Sequence, residues 1–172
     1  MPRKTIKESK PPTVKEIPET IPENTSSETP WTFRWMCNKD IPAIEKIEMQ
    51  CFESDVWGAS MFLRRDNVGG VCCDPISGKV VGYVVYRIKK QSLELVRIAV
   101  APEYHRRGVG TVMVKKLYSK LAKGRTSVVT EVPEQMLSMQ LLLRSTGFKA
   151  TRILKNSDPD ADSSYLMVRS QC

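Results

Sequence analysis

The sequence is poor in the residue types that build metal sites and disulfide frameworks. It has a single histidine, His105, and the one close pair among its five cysteines is adjacent rather than at zinc-ligand spacing. This scarcity and the odd cysteine count favour reduced cysteines and no resident metal. No apolar run approaches the roughly 20 residues of a membrane helix, and the N-terminus lacks the apolar core of a secretory signal. We therefore expect a soluble, cytoplasmic protein without a membrane partner.

Charge and composition divide the 172 residues into a tail and one basic domain. Residues 1–30 hold six of the eleven prolines, no glycine, and five basic against five acidic residues, which predicts a disordered, proline-rich tail. The net charge of +8 therefore belongs to residues 31–172, a length that suits one folded domain. Such a charge suits an anionic cofactor or a partner that contains nucleic acid. Because no aromatic stacking surface interleaves with the lysines, we expect at most indirect contact with nucleic acid.

Hydrophobic periodicity predicts alternating strands and helices after residue 30. The segment "WTFRWM" alternates as a first strand, and Asp40 is expected to cap the helix that follows it. Two β-rich runs joined by "PISG", and a third run after "KKQS", predict three successive antiparallel strands. Further helices are expected over residues 109–123 and 134–145. The order βααβββαβαββ predicts an α/β (α+β) fold with a mixed, mostly antiparallel central sheet flanked by about four helices.

The segment "VAPEYHRRGVGTVMVKKLYSKL", from Val100 to Leu121, has the pattern of an anion-binding turn. Gly108 and Gly110 lie at the start of an amphipathic helix, where missing side chains let a ligand approach unpaired backbone N–H groups. Two arginines precede the glycines, and the helix dipole adds positive potential, so the turn suits a phosphate or pyrophosphate. The lysine of a Walker loop and the third glycine of a dinucleotide fingerprint are both missing.

This turn resembles the acetyl-CoA signature of the GCN5-related N-acetyltransferase (GNAT) family, with His105 in place of the usual first glutamine or arginine. The segments "IAVAPEY" and "LLLRSTGF" extend the resemblance over residues 31–170, and within the family the chain looks most like ribosomal-protein-alanine N-acetyltransferases. The resemblance implies a GNAT fold, an N-acetyltransferase domain at residues 31–172 and acetyl-CoA as cofactor. It places the cofactor against the strand residues Ile98, Ala99 and Val100 and the turn residues Arg106, Arg107, Gly108, Val109, Gly110 and Thr111.

Two glutamates are candidates for the base that deprotonates the acceptor amine. Glu131 stands at the end of the apolar strand "SVVTEV", where burial would make its carboxylate a stronger base, and the ribosomal-protein enzymes carry their catalytic glutamate at the matching place. Glu94, on the preceding strand, resembles the base of histone-type relatives. We favour Glu131.

Other positions depart from the family pattern or define the acceptor site. Leu143 stands where the ribosomal-protein enzymes have a tyrosine acid, and Met136 where they have a CoA-contacting asparagine, so Tyr165 or water is left as the proton source. Phe52 and Trp57 are candidates for a peptide-binding rim, with core packing as the alternative. An acidic loop with Asp158, Asp160 and Asp162 would form the opposite wall.

The function predicted from these features is direct transfer of acetyl from acetyl-CoA to a protein N-terminal amine, with a ribosomal protein among the possible substrates. Acetylation of a small amine or a lysine side chain, and a non-catalytic acyl-CoA-binding module, are the alternatives. A monomer or a dimer is expected. A cysteine-based covalent route is disfavoured because the single histidine, His105, lies in the anion-binding turn before Gly108 and Gly110, called the phosphate turn below, rather than beside a thiol.

Overall fold

A computed structural model of the chain describes residues 31–122, 124–155 and 162–171. The predicted tail at residues 1–30 lies outside the described residues, as do Asp158 and Asp160 of the acidic loop. In the described part, no helix is long and apolar enough to cross a membrane. The same part holds no group of three or more His, Cys, Asp or Glu side chains that could bind a metal ion.

The fold is a seven-stranded mixed sheet with helices on both faces, and the elements follow the predicted order. The strands lie in the order β1-β2-β3-β4-β5-β7-β6, and all neighbours are antiparallel except β4 and β5. The strands are β1 (Thr32–Trp35), β2 (Asn67–Cys73), β3 (Val80–Ile88), β4 (Ser92–Val100), β5 (Ser127–Pro133), β6 (Lys149–Leu154) and β7 (Ser164–Ser170). The helices are α1 (Ile41–Cys51), α2 (Ala59–Phe62), α3 (Val109–Tyr118) and α4 (Leu137–Ser145).

The core has two layers, one on each face of the sheet. Helices α3 and α4 cover one face, and α1 and α2 cover the other. The predicted apolar stripe of α3 is buried, as its three- and four-residue spacing requires. Gly82 of β3 lies beneath α3, where a Cβ would come within 2.9 Å of the Ala99 carbonyl oxygen and within 3.2 Å of Val109. The glycine therefore lets α3 pack directly against the sheet.

Asp40 precedes α1 as predicted, but the predicted N-cap hydrogen bond is wrong. Its carboxylate accepts instead from the Arg34 guanidinium, at 2.7 Å for each oxygen, and from the Cys37 backbone N–H at 2.9 Å. The cause is a turn of 3₁₀ helix over Asn38–Asp40, which directs the side chain back toward β1. The hydrogen bonds from Arg34 lower the pKa of Asp40 from 3.8 to about 2. The residue thus ties β1 to the start of α1.

Strands β4 and β5 separate after a short paired stretch, and this separation positions the functional site. Their pairing runs from Ser92 opposite Ser127 to Glu94 opposite Val129 and includes no later residue of either strand. Beyond this point β4 continues to pair with β3, through a bulge between the Leu95 and Arg97 pairings. The backbone of β4 from Leu95 to Val100 therefore has one edge without a strand partner.

Candidate active site

A cavity of about 450 Å³ lies at the carboxyl end of β4. Its walls come from both sides of the sheet: α1 contributes on one side, while the phosphate turn and α4 contribute on the other. The lining residues are Cys51, Phe52, Ile98, Ala99, Val100, Tyr104, His105, Arg106, Gly108, Val109, Gly110, Thr111, Met136, Ser138, Met139, Leu141 and Leu142. Of the nine residues predicted to bind the cofactor, eight line this one cavity.

The turn before α3 exposes backbone donors to this cavity. Arg106 and Gly108 both have left-handed backbone angles, with φ of 58° and 82°, and this geometry brings the chain sharply into the helix. The first N–H bonded within α3 is that of Val112, which donates to the Gly108 carbonyl at 3.0 Å. The N–H groups of Val109, Gly110 and Thr111 come before it and have no partner inside the helix. With the exposed Arg106 beside them, they form a site suited to a phosphate.

Arg107 is the predicted cofactor residue that the structure places elsewhere. It is absent from the cavity lining, and its guanidinium lies 5.3 Å from the centroid of the Tyr104 ring. Successive residues of the turn face opposite ways, so Arg106 and Gly108 line the cavity while Arg107 turns outward. Arg106 therefore faces the cavity, while cofactor binding by Arg107 stays a prediction.

The carbonyl of Val100 is a junction between the phosphate turn and α1. It accepts from His105 Nε2 at 2.7 Å and from Cys51 Sγ at 3.2 Å. His105 therefore fastens its own loop to the end of β4, a role that its departure from the family pattern did not reveal. Burial raises the pKa of the Cys51 thiol, so this cysteine is a poor nucleophile despite its place in the cavity wall.

The two candidate bases lie at different levels of the separating strands. Glu131 is exposed, contrary to the expected burial, because it follows the last pairing of β4 with β5 and has no neighbour from β4 beside it. Its neighbours Thr130 and Val132 are buried on the α3/α4 side, so its side chain projects from the opposite face. Glu94 lies where the strands are still paired, and its Oε2 is 3.1 Å from Lys89 Nζ. Neither glutamate is part of the cavity lining.

Residues 32–148 match the sequence profile of the Acetyltransferase (GNAT) family. The chain belongs to the GNAT family. It is accordingly an acetyltransferase that uses acetyl-CoA and acts on an amine. An uncharacterised N-acetyltransferase of Methanocaldococcus jannaschii, MJ1530, is 24% identical over 143 residues, which are 80% of this chain and 90% of that protein.

Solved structures of GNAT-type acetyltransferases share this fold. The ribosomal-protein-S18-alanine N-acetyltransferase of Escherichia coli aligns with a TM-score of 0.69 at 22% identity, over 81% of this chain and 93% of its own. Ard1 of Thermoplasma volcanium aligns with a TM-score of 0.69 at 21% identity, over 83% of this chain and 99% of its own. Arabidopsis thaliana NAA60 in complex with acetyl-CoA aligns with a TM-score of 0.70 at 17% identity, over 81% of this chain and 99% of its own.

The cavity has features that fit acetyl-CoA. The unpaired N–H groups of the turn and the charge of Arg106 suit its phosphates. The edge of β4 at Ile98–Val100 has no partner in β5 and offers backbone groups to the amides of the pantetheine arm, except for the Val100 carbonyl, which already accepts from His105 and Cys51. A Cβ on Gly108 would meet nothing within 4 Å, so that position is open toward the ligand, whereas one on Gly110 would lie 3.0 Å from Leu142 of α4. Gly110 is therefore also required for packing between α3 and α4.

A buried ion pair that the sequence reasoning missed lies on the α1 side of the cavity. Arg97 of β4 donates to both carboxylate oxygens of Glu48, at 3.0 and 2.9 Å, and to Asp55 Oδ2 at 2.9 Å. Burial opposes the charge of Arg97, but the hydrogen bonds to these carboxylates outweigh it and raise its pKa. The Phe52 ring lies 3.6 Å from the guanidinium and also lines the cavity. Glu48, Asp55 and Arg97 lie on separate elements and share no motif spacing, so the sequence alone did not indicate this network.

Trp57 does not form the predicted rim. Its side chain is buried against Phe62, with ring centroids 5.6 Å apart, and its backbone N–H donates to Glu48 at 3.0 Å. The core-packing alternative is therefore the one observed. Phe52 remains the rim candidate of the pair, since it is partly exposed and lines the cavity.

A tyrosine acid is not found at either position considered from the sequence. Leu143 is fully buried in the core between α4 and the sheet. The Tyr165 hydroxyl lies 3.4 Å from Glu134, and its ring packs on the α3/α4 side, opposite Glu131. Met136, which stands in place of the relatives' asparagine, lines the cavity.

Proposed function

We propose that this GNAT enzyme acetylates the N-terminal amine of a peptide or protein by direct transfer, with ribosomal proteins as the first substrates to test. The observation that carries the proposal is the cavity at the end of β4, whose walls come from both sides of the sheet. Its α3/α4 side has the anion-binding turn, and its α1 side opens beside Phe52. A donor and an acceptor can therefore enter from opposite sides of the sheet and meet at the end of β4.

The chain's own groups have distinct roles in this proposal. Acetyl-CoA supplies the activated acetyl thioester when it is bound. The backbone of Ile98–Val100 orients the pantetheine arm, and the N–H groups of the phosphate turn hold the phosphates. Glu131, exposed on the acceptor face, takes a proton from the incoming ammonium directly or through water. Glu94 is less suited to this role because Lys89 lies against its carboxylate. Solvent supplies the proton for the leaving thiol.

Names of structurally similar proteins add support for a protein N-terminus as acceptor. The E. coli protein is named for the alanine of ribosomal protein S18, and NAA60 has also been solved with a bisubstrate analogue. Acetylation of a lysine side chain or of a small amine uses the same donor site and is the alternative. Location in the cytoplasm, a monomeric or dimeric state and a disordered tail at residues 1–30 stay predictions.

The test is release of free CoA from acetyl-CoA by the purified full chain with three kinds of acceptor. These are peptides with free N-termini, alanine first among them; the same peptides with blocked N-termini and an internal lysine; and polyamines. Turnover confined to free N-termini supports the proposal. Turnover with blocked lysine peptides or polyamines moves the acceptor to the alternative class, and binding of CoA without turnover on any of them overturns the N-terminal assignment.

A further inference from the structure

A tryptophan distant in sequence contacts the outer side of the phosphate turn. The Trp31 indole N–H donates to the backbone carbonyl of Arg107 at 2.8 Å, across 76 residues of sequence. The Trp31 ring also packs edge-to-face on Tyr104, with centroids 5.8 Å apart and planes at 81°. Trp31 therefore holds both the backbone of the turn and the residue that leads into it.

The hydrogen bond sets the direction of a backbone donor on the other side of the turn. The carbonyl of Arg107 and the N–H of Gly108 belong to one planar trans peptide, so they point in opposite directions. The carbonyl points outward to Trp31, and the Gly108 N–H therefore points toward the cavity. The lining agrees with this geometry, because it includes Gly108 and excludes Arg107.

The peptide needs such a contact because its conformation is not enforced by sterics. Gly108 has φ of 82°, and glycine adopts positive and negative φ with similar ease. Rotation of the 107–108 peptide would turn a carbonyl oxygen toward the cavity, where it would repel a phosphate instead of binding it. Because Gly108 is exposed, close packing does not prevent that rotation. The indole N–H favours the orientation in which the donor faces the ligand.

We propose that Trp31 is a positioning residue for acetyl-CoA: it orients the peptide between Arg107 and Gly108 so that the Gly108 N–H binds the phosphates. The inference rests on the assignment of the turn as the phosphate site. It does not depend on which amine is the acceptor.

The variant Trp31→Phe tests this role, since phenylalanine keeps an aromatic ring against Tyr104 and lacks the N–H donor. Two ligands are compared by calorimetry: acetyl-CoA, and S-acetylpantetheine, which has the same thioester and arm without the phosphates bound by the turn. A ligand too weak to titrate directly is measured by its competition with CoA. Loss of one oriented donor predicts a Kd for acetyl-CoA about three- to tenfold higher in the variant. The Kd for S-acetylpantetheine should stay unchanged.

Trp35→Phe is the matched control, because Trp35 is a tryptophan four residues further on, at the end of β1, where it packs on Phe33 and is half exposed. It should bind both ligands as the unaltered protein does. An equal loss of both ligands in Trp31→Phe would indicate a structural role and overturn the proposal, as would unchanged affinity for acetyl-CoA. If the unaltered protein bound acetyl-CoA and S-acetylpantetheine equally well, the turn would not bind the phosphates, and the proposed role of Trp31 would be refuted.

Discussion

Replacement of Arg97 by methionine should destabilise the protein strongly, because it leaves a buried carboxylate without its cation. The Glu48 side chain is fully buried, and that of Arg97 is 11% exposed. Arg97 gives Glu48 two hydrogen bonds and gives Asp55 two more, one to its carboxylate and one to its backbone carbonyl. Among the described residues, the one further donor to the Glu48 carboxylate is the Trp57 N–H. Removing one member of such a pair costs about 3–5 kcal/mol.

A second substitution, Glu48→Gln, distinguishes the loss of a charge partner from a simple loss of packing, because the two causes predict changes in stability of opposite sign. In Arg97→Met combined with Glu48→Gln, the buried charge is gone, and the amide oxygen still accepts from Trp57. The double variant should therefore be more stable than Arg97→Met alone, by about 1–3 kcal/mol. If its two substitutions acted independently, it would be less stable than either single variant.

The assay is urea unfolding at neutral pH, with thermal melting as a second measure. At this chain length each kcal/mol shifts Tm by roughly 2–4 °C, so Arg97→Met should melt roughly 6–20 °C lower. Arg64→Met is the control, since its ion pair with Asp66 is half exposed on both sides and should contribute less than about 1 kcal/mol. A loss as small as that of Arg64→Met, or a double variant less stable than Arg97→Met, would refute the argument.

Because Asp55 and Phe52 also contact Arg97, the KM of Arg97→Met for the acceptor should rise while its KM for acetyl-CoA stays the same.

Three further changes test other parts of the molecule. Glu131→Gln should lower kcat at neutral pH about a hundredfold with little change in the KM for acetyl-CoA, whereas Glu94→Gln should retain most turnover; the reverse result would exchange their roles. Asp40→Asn should lose about 1–2 kcal/mol at pH 7, where the ion pair is intact, and almost nothing near pH 2. The folded protein holds the pKa of Asp40 at about 2, below its ordinary value of 3.8, so the stability that the ionised carboxylate contributes is lost as pH falls from about 4 to 2. Equal losses of stability at pH 7 and pH 2 in urea unfolding would contradict this prediction. Gly108→Ala should cost about 1 kcal/mol through its φ of 82°, whereas Gly58→Ala, at φ of −87° and equally open, should cost nothing measurable by thermal melting.

The order of strands and helices was predictable because each element buries one face at its own period. Helix α3 shows this most clearly, since its apolar residues recur at three and four and all pack on the sheet. Its end was less predictable: the helix stops at Tyr118 rather than continuing to residue 123. No glycine or proline marks that point, so the local sequence carried little signal for it.

The donor half of the site was predictable because its chemistry lies in consecutive backbone groups. Glycines at fixed spacing and a following amphipathic helix are readable as one segment, and eight of nine predicted residues line the cavity. The exception, Arg107, depends on which way each peptide of the turn faces. That direction is influenced by Trp31, which is remote in sequence. Side-chain type alone could not distinguish Arg106 from Arg107.

The acceptor half was less predictable because tertiary contacts build it from separate elements. Glu48 of α1, Asp55 of the following loop and Arg97 of β4 have unremarkable local sequence, yet they meet beneath the rim. Trp57 was considered for the rim because it is a large aromatic in a loop, but the Glu48 carboxylate binds its backbone and its ring completes the core. The proposed donor site is therefore built from one segment of backbone, and the proposed acceptor side from a loop fastened through a buried charge. Substitutions on the proposed acceptor side should therefore leave acetyl-CoA binding intact, whereas changes at Arg97 should alter the shape of that side as well as the stability of the protein.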